Sequence, residues 1–279
     1  MSLDQHQKEF IKLLKANCGQ YRPHQVFSDF CAMAAIGLNL PVDHGPYFEE
    51  REKRFFSIRE RYSDNEFIRF DTMSKCIVES LTADFKDSLG GIFMELELGN
   101  HWRGQFFTPY DVALMMAKIG YPDHKEILDI HGFVTMNDPC SGAGALVIAM
   151  AQHLLESGIN YQQHLHVIAQ DIDETAAHMT YIQLSLLYIP ATVVHGNSLN
   201  PGKAYPYWQT FAHIHGEWDK RMYRAKADDT MLALLRATSS AASPPVKDIA
   251  PAEQTFEMLR KRRNQSLRKY QDDRQPGLF

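Results

Sequence analysis

The stretch 136-MNDPCSGAGALVIAM-150 decides the fold of this chain. A β-type run over residues 133–136 leads into Asp138-Pro139, small residues follow at 141–144, and an apolar helical run begins after them. A strand, a glycine turn and a helix in that order predict a ligand site. The glycines let backbone N–H groups approach the ligand, and the helix N-terminus favours anionic groups.

The segments after this turn continue the alternation of short apolar runs and helices. Helical patterns cover residues 144–158 and 173–189, and apolar runs cover residues 164–171 and 191–197. This βαβαβ order predicts a parallel, doubly wound sheet, which is an α/β, Rossmann-like architecture. We expect Gly158 to end the first helix and Asp173 to be the N-cap of the second.

Two ligands fit a turn of this kind, a dinucleotide and S-adenosylmethionine. The dinucleotide fingerprint needs a third glycine, but Gly144 is followed by Ala, Leu and Val. Asp138 precedes the turn, where a carboxylate would repel a pyrophosphate but attract the sulfonium and ammonium of S-adenosylmethionine. Asp171 ends the next strand, where an acid can accept hydrogen bonds from both ribose hydroxyls. The pattern favours S-adenosylmethionine as cofactor; the alternatives are a nicotinamide-dependent oxidoreductase and a structural glycine turn with Asp138 as an N-cap.

Composition limits the class of protein. The chain has 279 residues, 44% of them hydrophobic, and a net charge of −5, which exclude wholesale disorder and a basic nucleic-acid coat but allow a local DNA-binding patch. Its four cysteines form no CxxC pair, so reduced thiols are expected. Because no apolar segment approaches membrane-spanning length, we predict a soluble, cytoplasmic protein with no membrane partner.

Two His-x-His pairs raise the question of a metal site. His164 and His166, and likewise His213 and His215, would share one face if each pair lay on a strand, a geometry that could bind zinc. No acidic or cysteine partner stands at a suitable spacing, so the sequence predicts strand-face histidines and no metal.

The pattern of the chain predicts three regions. Residues 1–100 are expected to form a helical N-terminal domain, with helices over 24–36 and 67–85 and a solvated, charged helix face between residues 49 and 66. Residues 101–237 are expected to form the α/β domain, with a short strand over 212–218 and an amphipathic helix over 217–237. Residues 238–279 read as a linker and a basic flexible tail.

At this point a family resemblance enters. The run 104-GQFFTPYDVALMMAKI-119 resembles the segment that precedes the catalytic core in modification subunits of type I restriction systems, which are N-6 adenine-specific DNA methylases. The family's Asp-Pro-x-x-Gly-x-Gly is matched at residues 138–144, its acidic strand end at Asp171, and its Gly-Asp/Asn at Gly196-Asn197. The resemblance covers about residues 70–200. It implies an S-adenosylmethionine-dependent methyltransferase acting on double-stranded DNA, and a separate specificity subunit as a candidate partner.

The resemblance also implies roles for individual residues in binding S-adenosylmethionine. The pocket would be lined by Phe107, Thr108 and Pro109. The methionine part and the ribose would be wrapped by Asp138, Ser141, Gly142 and Gly144, and the ribose hydroxyls would be held by Asp171. The adenine ring would be approached by Asn197 and Ser198. Core packing is the alternative role of Phe107, and Thr108-Pro109 is also a sound helix start.

One family element is missing. Adenine methylases of this kind carry (Asn/Asp/Ser)-Pro-Pro-aromatic after a later strand, where it binds the flipped target base. After Asn197 the nearest candidates for catalysis are Asn200, Pro201 and Tyr207. The predicted sheet is also shorter than a complete methyltransferase sheet. Three hypotheses therefore stand: an adenine-N6 DNA methylase with a variant acceptor site, a catalytically degenerate accessory protein that binds S-adenosylmethionine and DNA, and a protein that works only with a partner that completes the site.

The C-terminal tail offers two further features. Residues 258–270 hold six basic and no acidic side chains, a pattern that can track DNA phosphates, with a solvated tail as the alternative. The basic residues are Arg260, Lys261, Arg262, Arg263, Arg268 and Lys269. The last five residues resemble the peptide that docks on the bacterial sliding clamp, with Gln275, Leu278 and Phe279 as the anchors.

Overall fold

The computed structural model describes residues 3–96, 107–120, 128, 131–200 and 202–240, with side chains described as far as residue 230. The chain divides into two compact units, residues 1–219 and 220–279. The first unit contains the N-terminal helices and the sheet, and it is the unit described below.

The N-terminal region is helical, as predicted. Its five described helices are α1 (Gln5–Ala16), α2 (Pro23–Asn39), α3 (Phe48–Arg59), α4 (Asp64–Ala83) and α5 (Ser88–Glu95). Local sequence sets where they start. Asp4 and Ser63 form capping boxes with the glutamine or glutamate three residues on, and Asp87 caps α5 through the Gly90 N–H.

The α/β region follows in the predicted βαβαβ order. Its elements are α6 (Tyr110–Gly120), β1 (Val134–Asp138), α7 (Ala145–Glu156), α8 (Tyr161–His164), β2 (Leu165–Asp171), α9 (Glu174–Leu186), β3 (Ala191–His195), β4 (Tyr207–Gln209), α10 (Phe211–His215) and α11 (Trp218–Ser240). Asp173 caps α9 by accepting from the Ala176 N–H, and Gly158 has a left-handed φ of 77° just after α7. Both caps are therefore confirmed.

The four described strands are ordered β1-β2-β3-β4, with β1, β2 and β3 parallel and β4 antiparallel to β3. Both crossovers run in the same direction along the sheet, and right-handed crossovers place α7 and α9 on the same face. The opposite face is partly open: Thr135 and Asn137 are exposed, and Ile168 is 43% exposed. The described strands thus form a mixed sheet of four strands with one partly exposed face.

The N-terminal helices pack on the α/β region through α9. α2 contacts α9, and the Ser28 and Thr175 hydroxyls are 3.0 Å apart. Arg54 of α3 pairs with both carboxylate oxygens of Glu174. α3 carries the charged stretch predicted as a solvated face, and it is mostly exposed, but Arg51 is buried beneath it.

Two predicted details of secondary structure were wrong. Residues 212–218 do not form a strand, because Thr210 caps α10 by accepting from the His213 N–H; the strand lies earlier, as β4. The His-x-His pairs do not lie on strand faces: His164 ends α8, and His213 and His215 lie on α10. His166 Nε2 instead lies 2.9 Å from His213 Nδ1 in the interior.

The described part of the chain can be compared with the requirements of a metal site and of a membrane-spanning helix. Among those residues there is no group of three or more His, Cys, Asp or Glu side chains that could hold a metal ion. None of the helices described there is both long and apolar enough to cross a membrane.

Candidate functional site

The carboxyl ends of β1, β2 and β3 meet at one edge of the sheet. β1 ends at Asp138 and β2 at Asp171, while Gly196 and Asn197 follow β3. The Gly196 N–H donates to the Asp171 carbonyl at 2.8 Å, which holds the last two strand ends together. Ligands of open α/β sheets bind outside this edge, so the predicted residues from three separate segments are in the expected place.

The glycine turn between β1 and α7 needs its glycines. Gly142 and Gly144 have φ values of 57° and 95°, in the left-handed region that glycine adopts at no steric cost. A Cβ at Gly142 would also lie 2.8 Å from Cδ1 of Phe107. The turn is closed by the Gly144 N–H, which donates to the Ser141 carbonyl at 2.8 Å.

Asp171 connects the turn to the start of α9. One carboxylate oxygen accepts from the Gly142 N–H at 2.8 Å, and the other accepts from the Asp173 N–H at 2.9 Å. A carboxylate oxygen has more than one acceptor position, so both oxygens retain capacity for a ligand hydroxyl. Asp171 can therefore orient the turn and hold a ribose at the same time.

Asp138 is a buried carboxylate at the entrance of the turn. Its side chain is 8% exposed and accepts from the Cys140 N–H at 3.3 Å. Burial raises its pKa above the ordinary aspartate value, and the negative charge of Asp171 adds to the rise. The pKa of Asp171 is also raised, mainly by burial. Two partly desolvated carboxylates at one site favour a cationic ligand, which would restore the lost solvation.

A cavity of about 120 Å³ opens between the turn and the segment before α6. It is lined by Phe107, Thr108, Met116, Asp138, Cys140, Ser141, Gly142, Ala143, Ala145 and Leu146. Ligand sites for whole small molecules run to about 300 Å³ or more, so this cavity accommodates one part of a nucleoside ligand. A larger cavity of about 510 Å³ lies among α2, α4 and α9, but its lining is mainly apolar and lies away from the strand ends.

Five predicted pocket residues line this cavity together: Phe107, Thr108, Asp138, Ser141 and Gly142. Phe107 both lines it and packs on Phe93, with ring centroids 4.9 Å apart, so its two suggested roles coexist.

The remaining predicted pocket residues lie around this cavity. Gly144 caps α7, and Pro109 directly precedes α6, which begins one residue later than a Pro-at-N1 start would place it. Asn197 and Ser198 are half-buried after β3, where the Asn197 side chain accepts from the Leu199 N–H at 3.0 Å.

The acceptor-site candidates are not brought together at the cavity. Asn200 is exposed in the loop after β3, and Pro201 lies outside the described residues. Tyr207 lies on β4, at the opposite sheet edge from β1, with its ring against Tyr47 at 5.7 Å. The basic tail residues and the predicted clamp-docking peptide also lie outside the described residues.

Sequence reasoning missed two polar residues that hold the turn from behind. Thr180 Oγ1 donates to the Gly142 carbonyl at 2.9 Å, and Gln183 Nε2 donates to the Ala143 carbonyl at 2.8 Å. Both side chains are fully buried on α9. The available signal was a pair of polar residues three positions apart, which places them on one face of α9.

Comparison with known proteins bears on this site. The family model described as N-6 DNA Methylase matches residues 96–215, which include the turn, Asp171 and Asn197. This confirms the resemblance predicted from the sequence motifs: residues 96–215 are similar to the N-6 DNA methylase family. No curated protein matches the chain.

Two solved structures match part of the chain. One, from Listeria monocytogenes, is assigned as a class I S-adenosylmethionine-dependent methyltransferase, with 12% identity, a TM-score of 0.39, and coverage of 70% of this chain and 54% of that one. The other is the methyltransferase subunit of a type I restriction-modification system from Streptococcus thermophilus, with 14% identity, a TM-score of 0.33, and coverage of 67% and 55%. The chain spans little more than half the length of these structures.

The predicted fold class is confirmed. The described residues form an α/β, Rossmann-like core with a sheet of four strands, and helices precede it.

Proposed function

We propose that this chain binds S-adenosylmethionine at the strand-end cavity and serves in methylation of adenine N6 in double-stranded DNA. The observation that carries the proposal is the buried Asp138 carboxylate beside the glycine turn, with Asp171 on the next strand. A carboxylate at that position suits a sulfonium and an ammonium group and does not suit a pyrophosphate. The match of residues 96–215 to the N-6 DNA methylase family supports the substrate class.

The residues present fit the parts of S-adenosylmethionine. Asp138 and the turn would hold the methionine part, Asp171 the ribose hydroxyls, and Asn197 and Ser198 the adenine ring. Bound S-adenosylmethionine supplies an electrophilic methyl group, so this chain needs to orient and desolvate it. Double-stranded DNA and a specificity subunit are the partners that this function implies, with the basic residues between 260 and 269 as candidate phosphate contacts.

Asp171→Ala tests the ribose contact. We expect donor affinity to fall about 10- to 100-fold, because a charge-assisted hydrogen bond contributes roughly 1.5–3 kcal/mol. Isothermal calorimetry with S-adenosylmethionine measures the change. Asp173→Ala is the matched control, since Asp173 caps α9 but does not line the cavity. It should lower thermal stability and leave donor affinity within about twofold of wild type. Equal affinity of wild type and Asp171→Ala would remove Asp171 from the site.

Donor affinity should fall on acidification. The pKa of Asp138 is raised in the free protein, and a cationic donor would lower it again in the complex. The donor therefore binds the ionised carboxylate, and affinity is lost as pH falls towards the raised pKa. Calorimetry over a pH series that descends from about 7.5 to the acid limit of the folded protein measures this. Adenosine lacks both cationic groups and would contact Asp171 but not Asp138, so it should lose less affinity than S-adenosylmethionine over the same series. A donor affinity that does not change with pH contradicts the assignment.

A second function has its own support. Tyr207 lies at the opposite sheet edge from β1, and Asn200 is exposed in the loop after β3, so these two acceptor-site candidates do not converge on the donor cavity. These observations favour an accessory protein that binds the donor without transferring its methyl group. Transfer of a tritiated methyl group to DNA of mixed sequence separates the two functions. Donor binding without transfer, both with DNA alone and with DNA and a specificity subunit, supports the accessory protein.

A further inference from the structure

The two carbonyl groups at the back of the glycine turn are held by α9. Thr180 Oγ1 donates to the Gly142 carbonyl at 2.9 Å, and Gln183 Nε2 donates to the Ala143 carbonyl at 2.8 Å. In a planar trans peptide the N–H of the next residue points opposite to the carbonyl. Holding these carbonyls towards α9 therefore turns the Ala143 N–H away from α9, on the side where Ala143 lines the cavity.

Gln183 also binds the start of α5. Its Nε2 donates to Asp87 Oδ1 at 2.8 Å as well as to the Ala143 carbonyl, and its Oε1 accepts from the Leu89 N–H at 3.0 Å. The orientation of the amide is fixed, because its nitrogen faces two acceptors and its oxygen faces a donor. The side chain is fully buried, so each of these bonds forms away from water.

α5 reaches the other wall of the cavity too. Phe93 of α5 packs on Phe107, with ring centroids 4.9 Å apart, and Phe107 lies over Gly142. One helix of the N-terminal region thus contacts the turn through Gln183 and the facing aromatic wall through Phe93. The spacing of the two walls depends on this helix.

We infer that Gln183 is a positioning residue for donor binding, which fixes the glycine turn against α5 and makes the N-terminal helical region a structural part of the donor site. The inference rests on the proposed function for its ligand. The role of Gln183 in the turn does not depend on the ligand, because without Gln183 the peptide between Ala143 and Gly144 loses its hydrogen bond to α9.

The test compares Gln183→Met with Gln7→Met. Gln7 is also a buried glutamine that binds α5, donating to the Ser88 carbonyl at 2.9 Å, but it does not touch the turn. Both variants replace a buried amide by an apolar chain of similar length, so both should lower the melting temperature. Only Gln183→Met should weaken S-adenosylmethionine binding, by about tenfold for a lost buried bond. Gln7→Met should bind as wild type does.

Amide hydrogen exchange of the ligand-free protein gives a second measurement. Exchange at residues 142–144 should accelerate in Gln183→Met and remain unchanged in Gln7→Met. If wild type binds no donor, the proposed function fails, and the exchange result still decides the positioning role. Equal loss of affinity in both variants, or unchanged exchange in Gln183→Met, overturns the inference.

Thr180→Val and Thr180→Ser keep the test decisive if Gln183→Met does not fold. Valine has the shape of threonine but removes the donor to the Gly142 carbonyl, whereas serine retains it. Thr180→Val should accelerate amide exchange in the turn and weaken donor binding. Thr180→Ser retains the hydroxyl donor, so its exchange rates and donor affinity should remain close to those of wild type. The same behaviour in both variants would contradict positioning of the turn by α9.

Discussion

Asp138→Asn is expected to stabilise the protein while nearly abolishing donor binding. Burial raises the pKa of Asp138, so at neutral pH the folded state holds an ionised carboxylate at a free-energy cost. Asparagine removes that cost and can keep the hydrogen bond from the Cys140 N–H, which is 3.3 Å long. Relief of this kind contributes about 0.5–2 kcal/mol. The melting temperature should therefore rise by a few degrees, about 2–4 °C per kcal/mol for a chain of this size.

The loss of binding follows from the same charge. Without the carboxylate, a cationic donor meets a neutral amide in a buried position, and affinity should fall by at least about 100-fold. Calorimetry measures the affinity and differential scanning calorimetry the melting temperature. Asp111→Asn is the control for net charge, because Asp111 is exposed on α6 and does not line the cavity. A melting temperature that falls together with donor affinity would mean that Asp138 has a structural role in the turn.

Gly142→Ala is expected to damage both stability and binding. A left-handed φ costs an L-residue roughly 1–2 kcal/mol, and the new Cβ would lie 2.8 Å from the Phe107 ring. Forcing an extra carbon into packed surroundings costs about 1–3 kcal/mol more. The total is about 2–5 kcal/mol, and the displaced turn should lose donor binding by 100-fold or more, about 3 kcal/mol.

Gly158→Ala separates the two contributions. Gly158 has a similar φ of 77°, but a Cβ there meets nothing within 4 Å. The Gly158→Ala variant should lose only the free energy of unfolding that a left-handed φ costs an alanine, and it should bind the donor as wild type does. The difference in free energy of unfolding between the two variants, from urea denaturation, measures the crowding against Phe107. Equal destabilisation would show that Phe107 moves aside freely, and Phe107→Ala should then destabilise wild type and Gly142→Ala by the same amount.

Much of the proposed donor site could be predicted from the sequence, because the sequence patterns that define it are local. The small residues of the turn, the acids that end β1 and β2, and the Asp173 cap can each be recognised from a few neighbouring positions. The parallel order of β1, β2 and β3 follows from their helical crossovers. These features depend on backbone conformation and on short-range hydrogen bonds, which a sequence pattern records directly.

The features that could not be predicted depend on distant partners. β4 has three residues, too few for a period of two to stand out, and its Trp208 is buried by Arg51 of α3. The hydrogen bond from Gln183 to the Ala143 carbonyl joins residues forty positions apart, and its hydrogen bond to Asp87 joins residues ninety-six positions apart. Only the packing of helices on the sheet brings such pairs together.

Arg51 connects the N-terminal helices to the sheet. Its guanidinium lies 3.7 Å from the centre of the Trp208 ring, donates to Asn39 at 2.7 Å, and also donates to the Tyr207 carbonyl. Cutting the chain between the helices and the sheet would remove the donor to that carbonyl and expose the face of the Trp208 indole that Arg51 covers. The two parts should therefore melt in one cooperative transition, and a fragment that holds only the sheet would be prone to aggregate through its bare edge strand.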